Sequence, residues 1–378
     1  MPHYLPGYKS GGPIRTIQGI VEHLGSEFDF YIVTLDRDAG DKHPYPEIAV
    51  DTWSKVGKAH VYYTQRISLT LLRDPVLNTS WDLVYFQSFF NMNFTVKPLV
   101  WLRLRLLHAG QILVAPRGQF SSGAIAIRSF KKRSFLLLSM VTGLYKNIFW
   151  QASSVYEKED MLREIGTYAS PEDMFVASDI PPKSQHLPTN SVNPPDRLQI
   201  IFLSRITRMK NLHYAINILG RVSVSVQFNI YGPVDQDVSY WRDCKHLLEL
   251  LPEHVSYEYK GVVHPGQIGG LFSKHDLFLF PTQGENFGHV ILESLCTGCP
   301  VVLSDQTSWD NLEAQGVGWT IPLSRKDLFV RIIEEFSEEP ISRRAERRQR
   351  CKDYASRFLA DGKIVNDSRR MLTHLTSR

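Results

Sequence analysis

Residues 199–232 read QIIFLSRITRMKNLHYAINILGRVSVSVQFNIYG. QIIFL looks like a buried strand, NLHYAINILGRV carries apolar residues at helical spacing, and SVQFNIYG is a strand again. The alternation continues through SYWRDCKHLLELL, VSYEYKG, GQIGGLFSKH, DLFLFPT, GHVILESLCTG and PVVLSD, and GWTIP with RKDLFVRIIEEF closes it. Strand and helix alternating with short turns predict a parallel sheet covered on both faces, with ligands bound beyond the carboxyl ends of its strands.

Upstream, the first half alternates less regularly. PIRTIQGIVEHL reads as an amphipathic helix, FDFYIVTL and WDLVYFQS as strands, TVKPLVWLRLRLL as a helix, QILVAPRG as a strand, and SSVYEKEDMLREIG as a strand end running into a helix. Between the halves lies PPKSQHLPTNSVNPP, whose five prolines cannot hold a helix or a central strand. The fold class is therefore α/β, with two doubly wound Rossmann-like domains facing a central cleft. The expected boundaries are 1–180 for the first domain, 181–197 for the linker, 198–350 for the second domain, and 351–378 for a C-terminal helix packing back on the first.

The 378 residues exceed what one core usually serves, and 43% apolar with 22% charged residues excludes wholesale disorder and collagen-like repeats. No run approaches the roughly 18–20 apolar residues of a membrane span; the nearest, Phe135 to Val141, is interrupted by Ser139. The opening MPHYLPGYKSGG lacks the basic start and apolar middle of a secretion signal, and four cysteines are no disulfide framework, so a reduced, cytoplasmic compartment is expected. Residues 83–156 hold nine Lys or Arg and no Asp or Glu, which leaves the remainder at −5 against a net of +4. Such a block suggests an anionic partner, or else a solvated face beside an active site. Within it, RSFKKRSFLLLSMVTGLYKNIFW pairs three adjacent cations with an apolar face. This fits either an anionic membrane surface met through 97–146, on the inner face of the cytoplasmic membrane, or a core helix with a basic edge. No nucleic-acid recognition motif is present, and no nucleic-acid partner is expected.

The chemistry concentrates in PTQGENFGHVILESLCTGCPVVLSD, residues 281–305. A strand ends at Phe280 and a glycine-containing turn leads into a helix near Gly288, whose free amides and dipole attract anions. Glu285 precedes that start and Glu293 lies inside the helix. Were the interval helical throughout, their Cα atoms would stand roughly 12 Å apart. That is long for two carboxyls sharing one glycosidic bond, and it suits a ligand with two polyhydroxyl ends and an anionic middle, as in a nucleotide sugar. In SRITRMKN, residues 204–211, Arg205 and Lys210 would point from a strand end toward the same cleft, the first forking onto phosphate oxygens and the second adding a mobile point charge. Against a leaving diphosphate they would stabilise the transition state.

With these residues in view, the chain resembles the retaining, nucleotide-sugar-dependent glycosyltransferases of family 4, which have the two-domain GT-B fold. The resemblance covers nearly the whole chain and is strongest over 198–325. Glu285 and Glu293 in ENFGHVILE match the family's Glu-x7-Glu motif, and Arg205 with Lys210 its diphosphate-binding pair. The resemblance implies that Glu285 contacts the transferred sugar and Glu293 the ribose. It implies that the amides of Asn286, Phe287 and Gly288 meet the sugar, and those of His289 and Val290 the phosphates. Base contacts fall to backbone near Gly261 and Val262. Gly11, Gly12 and Pro13 match the glycine-rich loop that closes over the donor phosphates and lines the acceptor site, so Gly12 is shared by both substrates. YGPVDQDVSYW, ENFGHVILE and SDQTSW look like the branch from bacterial surface-polysaccharide clusters. No cofactor or metal is implied; the nucleotide sugar is a co-substrate, and the acceptor is a glycan or lipid-linked saccharide on the first domain.

Two features depart from the family. Its members usually begin with a strand before the glycine-rich loop, whereas this sequence opens inside that loop. Many carry a His on the acceptor side, where this chain reads APRGQF. Arg117 cannot act as a base, so it is expected either to bind the acceptor or to hold a structural turn. The departures motivate an alternative, a non-catalytic nucleotide-sugar-binding protein or assembly partner; a sugar-nucleotide epimerase is a third reading, against which the two-Glu motif argues. Among weaker signals, Asp36-Arg37-Asp38 reads as a surface turn rather than a metal motif, Cys296 and Cys299 as apolar fillers, Glu157 as a cleft residue or a helix-start acid, and Trp309 as packing or cleft lining.

Overall fold

A computed structural model describes residues 1–126, 129–183, 197–234 and 237–377. The chain divides into two compact units, Met1–Lys183 with Gly362–Arg378, and Ser184–Asp361.

The first unit runs α1 (Gly12–Leu24), β1 (Phe30–Leu35), β2 (Trp53–Val56), β3 (Ala59–Thr64), β4 (Ser80–Phe86), α2 (Lys97–Arg103), β5 (His108–Val114), α3 (Ser122–Ala126), α4 (Ser129–Val141), β6 (Phe149–Ala152), α5 (Val155–Ile165) and β7 (Met174–Val176). Its strands form two sheets: β1-β3-β2, with β2 antiparallel, and an all-parallel β4-β5-β6-β7. One core lies beneath both. Ile14, Ile17, Val21 and Leu24 of α1, at helical spacing, meet Ile32 and Val61 of the smaller sheet and Leu113 of the larger. The amino group of Met1 donates to Val33 O at 2.9 Å and Leu35 N to Pro2 O at 3.1 Å, so the first two residues run along β1. Two sequence expectations change here, and one hairpin appears where no element was read. The β2–β3 hairpin was hidden in a segment without strong alternation. TVKPLVWLRLRLL is regular helix only over Lys97–Arg103, because Arg105 turns left-handed with φ 58° and ends it. The expected linker begins later than 181: Pro181 and Pro182 are buried, and Gly19 of α1 approaches so closely that a Cβ there would stand 2.1 Å from Ile180 O. Residues 184–196, the rest of that segment, lie outside the described residues.

The second unit runs β8 (Leu198–Leu203), α6 (Leu212–Leu219), β9 (Val226–Tyr231), α7 (Val238–Glu249), β10 (Val255–Tyr259), α8 (Pro265–Phe272), β11 (Leu277–Phe280), α9 (His289–Cys296), β12 (Val301–Ser304), α10 (Leu312–Gln315), β13 (Gly318–Ile321), α11 (Lys326–Glu338) and α12 (Ile341–Ala360). Six parallel strands form one sheet in the order β10-β9-β8-β11-β12-β13. The chain builds outward from β8 to β10, then returns to place β11 on the other side of β8, with Leu277 opposite Ile200. The order reverses between β8 and β11, where open α/β sheets present a crevice at their carboxyl edge.

The C-terminal boundary needs correction. The expected break at 350/351 falls inside α12, which packs on α9 in the second unit. Gly362, left-handed at φ 65°, then separates it from α13 (Lys363–Thr376), which adds Met371, Leu372 and Leu375 to the first unit's core. The second unit thus ends at Asp361, and only α13 returns to the first.

Candidate functional site

Two loops leave the strands at the reversal point. The first follows β8. Arg205 stands two residues past Leu203, and the backbone there is fixed by Ser204 N to Tyr231 O at 3.1 Å and Ile206 N to Pro233 O at 2.9 Å. A single 3₁₀ turn, Arg208–Lys210, ends at Asn211, which adopts the left-handed conformation with φ 63° that Asn tolerates better than most residues. The second loop joins β11 to α9. The two are stitched together: Gln283 N donates to Met209 O at 2.8 Å, Thr282 Oγ1 to the same carbonyl at 3.1 Å, and the buried Asn211 Nδ2 to Pro281 O at 2.8 Å.

This frame brings Lys210 and Glu285 together. Lys210 Nζ donates to Glu285 Oε2 at 2.8 Å and to Gly284 O at 3.3 Å. The side chains are 12% and 20% exposed, so the pair is shielded more than a surface ion pair yet open to a ligand. The turn carrying Glu285 is held from outside by the loop after β12. Glu285 N donates to Gln306 O at 3.0 Å, Ser308 Oγ to Asn286 O at 2.8 Å, and the buried Trp309 Nε1 to Phe287 O. Gly288 closes the turn in the left-handed region at φ 73°, and a Cβ there would come within 2.9 Å of Glu285 Cγ, so glycine is needed both for conformation and for space. α9 starts at His289, which leaves Glu285 in the turn and the helical spacing to Glu293 broken. The first bond into the helix is Ile291 N to Gly288 O at 2.8 Å, so the amides before it lie at the positive end of the helix dipole.

The other expected donor residues lie along the same edge. Asn286, Phe287 and Gly288 form the turn, His289 and Val290 open α9, and Glu293 is buried in its second turn. Gly261 O accepts from Gly232 N at 2.8 Å, joining the ends of β9 and β10, with Val262 exposed beside it. Gly11 and Gly12 belong to the first unit, Gly11 as the residue capping α1 and Gly12 as its first residue.

Arg117 is a correction. Its guanidinium is buried in the first unit and fully engaged there, Nε donating to Gln87 Oε1 at 3.0 Å, NH2 to Tyr85 Oη at 2.9 Å and to Gln87 Oε1 at 2.6 Å, and NH1 to Asp179. Burial works against its charge, but Asp179, with Tyr85 and Glu157 behind it, more than offsets this and raises its pKa. The side chain therefore serves as an internal strut rather than an open acceptor ligand. Glu157, also buried, accepts from Ser153 N at 2.8 Å and Ser153 Oγ at 2.7 Å and from Gly118 N, which gives it a structural place in the same network. The Asp36–Asp38 turn is not at the surface either: both carboxylates are buried, and Asp38 Oδ2 accepts from Tyr8 N at 2.7 Å and Lys9 N at 3.0 Å, anchoring the loop that leads to Gly11. Cys296 and Cys299 are buried, and burial pushes both thiols up to about 12.

Asn211 and Ser308 went unread in the sequence, and Asp38 was read there only as part of a surface turn. Asn211 had a signal, an Asn between a strand-end loop and a helix; the other two act through backbone contacts that no spacing reveals.

Comparison with known proteins bears on this geometry. Residues 185–358, just under half of the chain, match the family model for glycosyl transferases group 1. A protein from Klebsiella pneumoniae, described as an uncharacterized 41.2 kDa protein in the cps region, is 25% identical over 172 residues, a stretch spanning 45% of each chain. Among solved structures, Anabaena HepE in complex with UDP and glucose superposes at a TM-score of 0.66 with 15% identity over 99% of each chain. Sucrose-phosphate synthase from Thermosynechococcus elongatus gives 0.69 with 14% identity, covering 97% of this chain and 94% of that one. The match to the group 1 glycosyl transferase model falls within the second unit, and the chain has the GT-B fold.

Proposed function

We propose that the chain is a retaining glycosyltransferase that moves a sugar from a nucleotide-sugar donor to a glycan or lipid-linked saccharide in bacterial surface-polysaccharide synthesis. The observation that carries this reading is the Lys210–Glu285 pair, held 2.8 Å apart at the sheet's reversal point beside the start of α9. A diphosphate arriving there would draw Lys210 from its carboxylate partner and, with Arg205 and the α9 amides, take up the charge that develops as the glycosidic bond breaks. Glu285, released from the cation, orients the sugar; Glu293 serves the ribose, and the backbone at Gly261 and Val262 the base. The acceptor hydroxyl attacks on the face the diphosphate leaves, the new C–O bond forms as the old one breaks, and its proton passes to a departing phosphate oxygen. Configuration is thereby kept, and no metal is required because fixed cations and amides meet the diphosphate. Gly11 and Gly12 supply the acceptor-side loop, and the basic segment 97–146 would bring the protein to an anionic membrane surface.

The UDP bound in HepE and the cps location of the Klebsiella relative support testing UDP-sugars and polysaccharide intermediates first. The experiment is a thermal-shift screen of nucleoside diphosphates followed by a transfer assay with a pool of nucleotide sugars, with and without EDTA. A bound diphosphate raises the melting temperature of the wild type. Lys210→Ala loses most of that rise, and Glu285→Gln keeps it while losing transfer. EDTA leaves the rate unchanged. No melting shift with any nucleoside diphosphate, together with no transfer, ends the proposal.

A further inference from the structure

We infer that the outer face of α4 is a membrane-binding surface that lies in the plane of an anionic bilayer. This deepens the reading above by naming the element that would bring the enzyme to a lipid-borne acceptor, and rests on that reading only for its purpose.

α4 is apolar on its inner side, against the core, and apolar again on its outer side. Its inner face is core, with Leu136 and Ser139 buried and Phe135 packed against Phe89 and Phe90. Opposite them, Phe130 is 83% exposed, Leu137 60% and Val141 75%. At about 100° per residue these three fall within roughly 40° of one another, a single stripe along the helix. Leu138 and Met140 widen it and are exposed as well. A soluble surface does not normally align its largest apolar side chains in this way.

The stripe continues past the helix. Arg103 Nε donates to Leu144 O at 3.1 Å, with NH2 on Lys146 O, which fastens the end of α2 to the turn after α4. Leu104 and Leu106, both exposed, follow directly. Cations flank this surface: Lys131 and Arg133 beside Phe130, Arg105 between the two leucines, and Lys146 in the turn, all exposed. Across 83–156 there is no carboxylate to oppose them.

Charge complementarity selects the occupant. A ridge of aliphatic and aromatic side chains one helix wide, bordered by long cationic chains, fits a bilayer interface. There the apolar groups enter the acyl boundary and the ammonium and guanidinium heads meet lipid phosphates. Each cation near an anionic surface raises partition several-fold. The ridge lies on the surface and does not cross: among the described residues no helix is long and apolar enough to span a membrane.

The test is flotation of the full chain with vesicles of phosphatidylcholine alone and of phosphatidylcholine with phosphatidylglycerol. The wild type floats with the anionic vesicles, less so at high salt, and stays behind with the neutral ones. Leu137→Asp with Val141→Asp reduces flotation at least about tenfold, and Lys131→Glu with Arg133→Glu does the same. The UDP-induced melting shift, measured on every variant, reports folding and the donor site separately. Variants that float like the wild type overturn the inference, as does a wild type that ignores anionic vesicles. A dimer that Val141→Asp dissociates, without vesicle binding, overturns it by giving the face to a second copy. Flotation without any nucleotide response leaves this inference standing and removes the donor reading instead.

Discussion

The second unit carries Lys210 on a loop fixed by main-chain bonds, whereas the first encloses Arg117 among side chains. Lys210 sits on a loop stitched to its neighbour through Met209, Asn211 and Pro281, and its pair with Glu285 is partly exposed. Arg117 has its guanidinium taken up by Asp179, Gln87 and Tyr85, with the sheet of that unit divided between β1 and β4. A cation meant to receive a leaving anion needs a rigid backbone and a partner it can give up. A cation whose partners are buried with it supports the fold.

The sharpest way to break this contrast is to delete each cation. Arg117→Ala leaves Asp179 buried without its partner and costs about 3–5 kcal/mol of stability, read as a lower urea midpoint. Replacing both, Arg117→Met with Asp179→Leu, recovers most of that loss because no lone charge remains. If Arg117→Ala leaves stability intact and abolishes transfer, the strut assignment is wrong.

Lys210→Ala shows the opposite pattern. Stability changes by less than about 1 kcal/mol, as for a partly exposed pair, while transfer falls about 10²–10³-fold, the usual effect of removing one group that stabilises developing negative charge. A fall below tenfold would put Lys210 outside the donor site. Arg205→Ala, on the same strand end, is the natural companion measurement.

Legibility in the sequence follows the same division. QIIFL and DLFLF announced β8 and β11 because a strand buried on both faces has to be continuously apolar, and Gly288 announced the start of α9 because the turn needs a left-handed residue. The first unit hid β2 and β3, whose WSKV and AHVYYT mix polar and apolar residues on a small edge sheet. Arg117 was visible as a residue but its role was not, since Asp179 lies 62 positions away and a buried pair has no local spacing. For the same reason Ser308, which reaches Asn286 O across 22 positions, left no motif.

Trp309→Phe sharpens the contrast from the second unit's side. The ring remains to pack against Phe287 and Phe358, but Phe287 O loses its indole donor, an omission worth about 1–3 kcal/mol for a buried acceptor. Because that carbonyl belongs to the turn that carries Glu285, donor KM rises about tenfold with a smaller change in kcat. A unchanged KM would mean that the turn is held sufficiently by Gln306 and Ser308.

The last expected effect is one of pH, and it is read in the second unit. His275, buried ahead of β11, accepts from Asn229 Nδ2 on Nε2 at 3.0 Å and faces Leu271 O with Nδ1 at 2.7 Å, so the neutral ring has both nitrogens used. Burial lowers its pKa from 6.5 to about 4; the bond to Leu271 O resists this, and Lys260, Arg348 and Lys274 reinforce it. Between those two values the unfolded chain binds the proton and the folded chain does not. The stabilisation is therefore complete above about pH 6.5 and is lost as pH falls toward 4, by at most ~1.4 kcal/mol per pH unit. His275→Gln keeps a polar group for Asn229 and removes the titration, so its urea midpoint falls less steeply over that window. Hydrogen exchange places the difference in β11 and its neighbours rather than in β5. Parallel pH slopes for wild type and variant would show that His275 charges in place, and that the wall of the sheet behind the Lys210–Glu285 loops is less dry than its burial indicates.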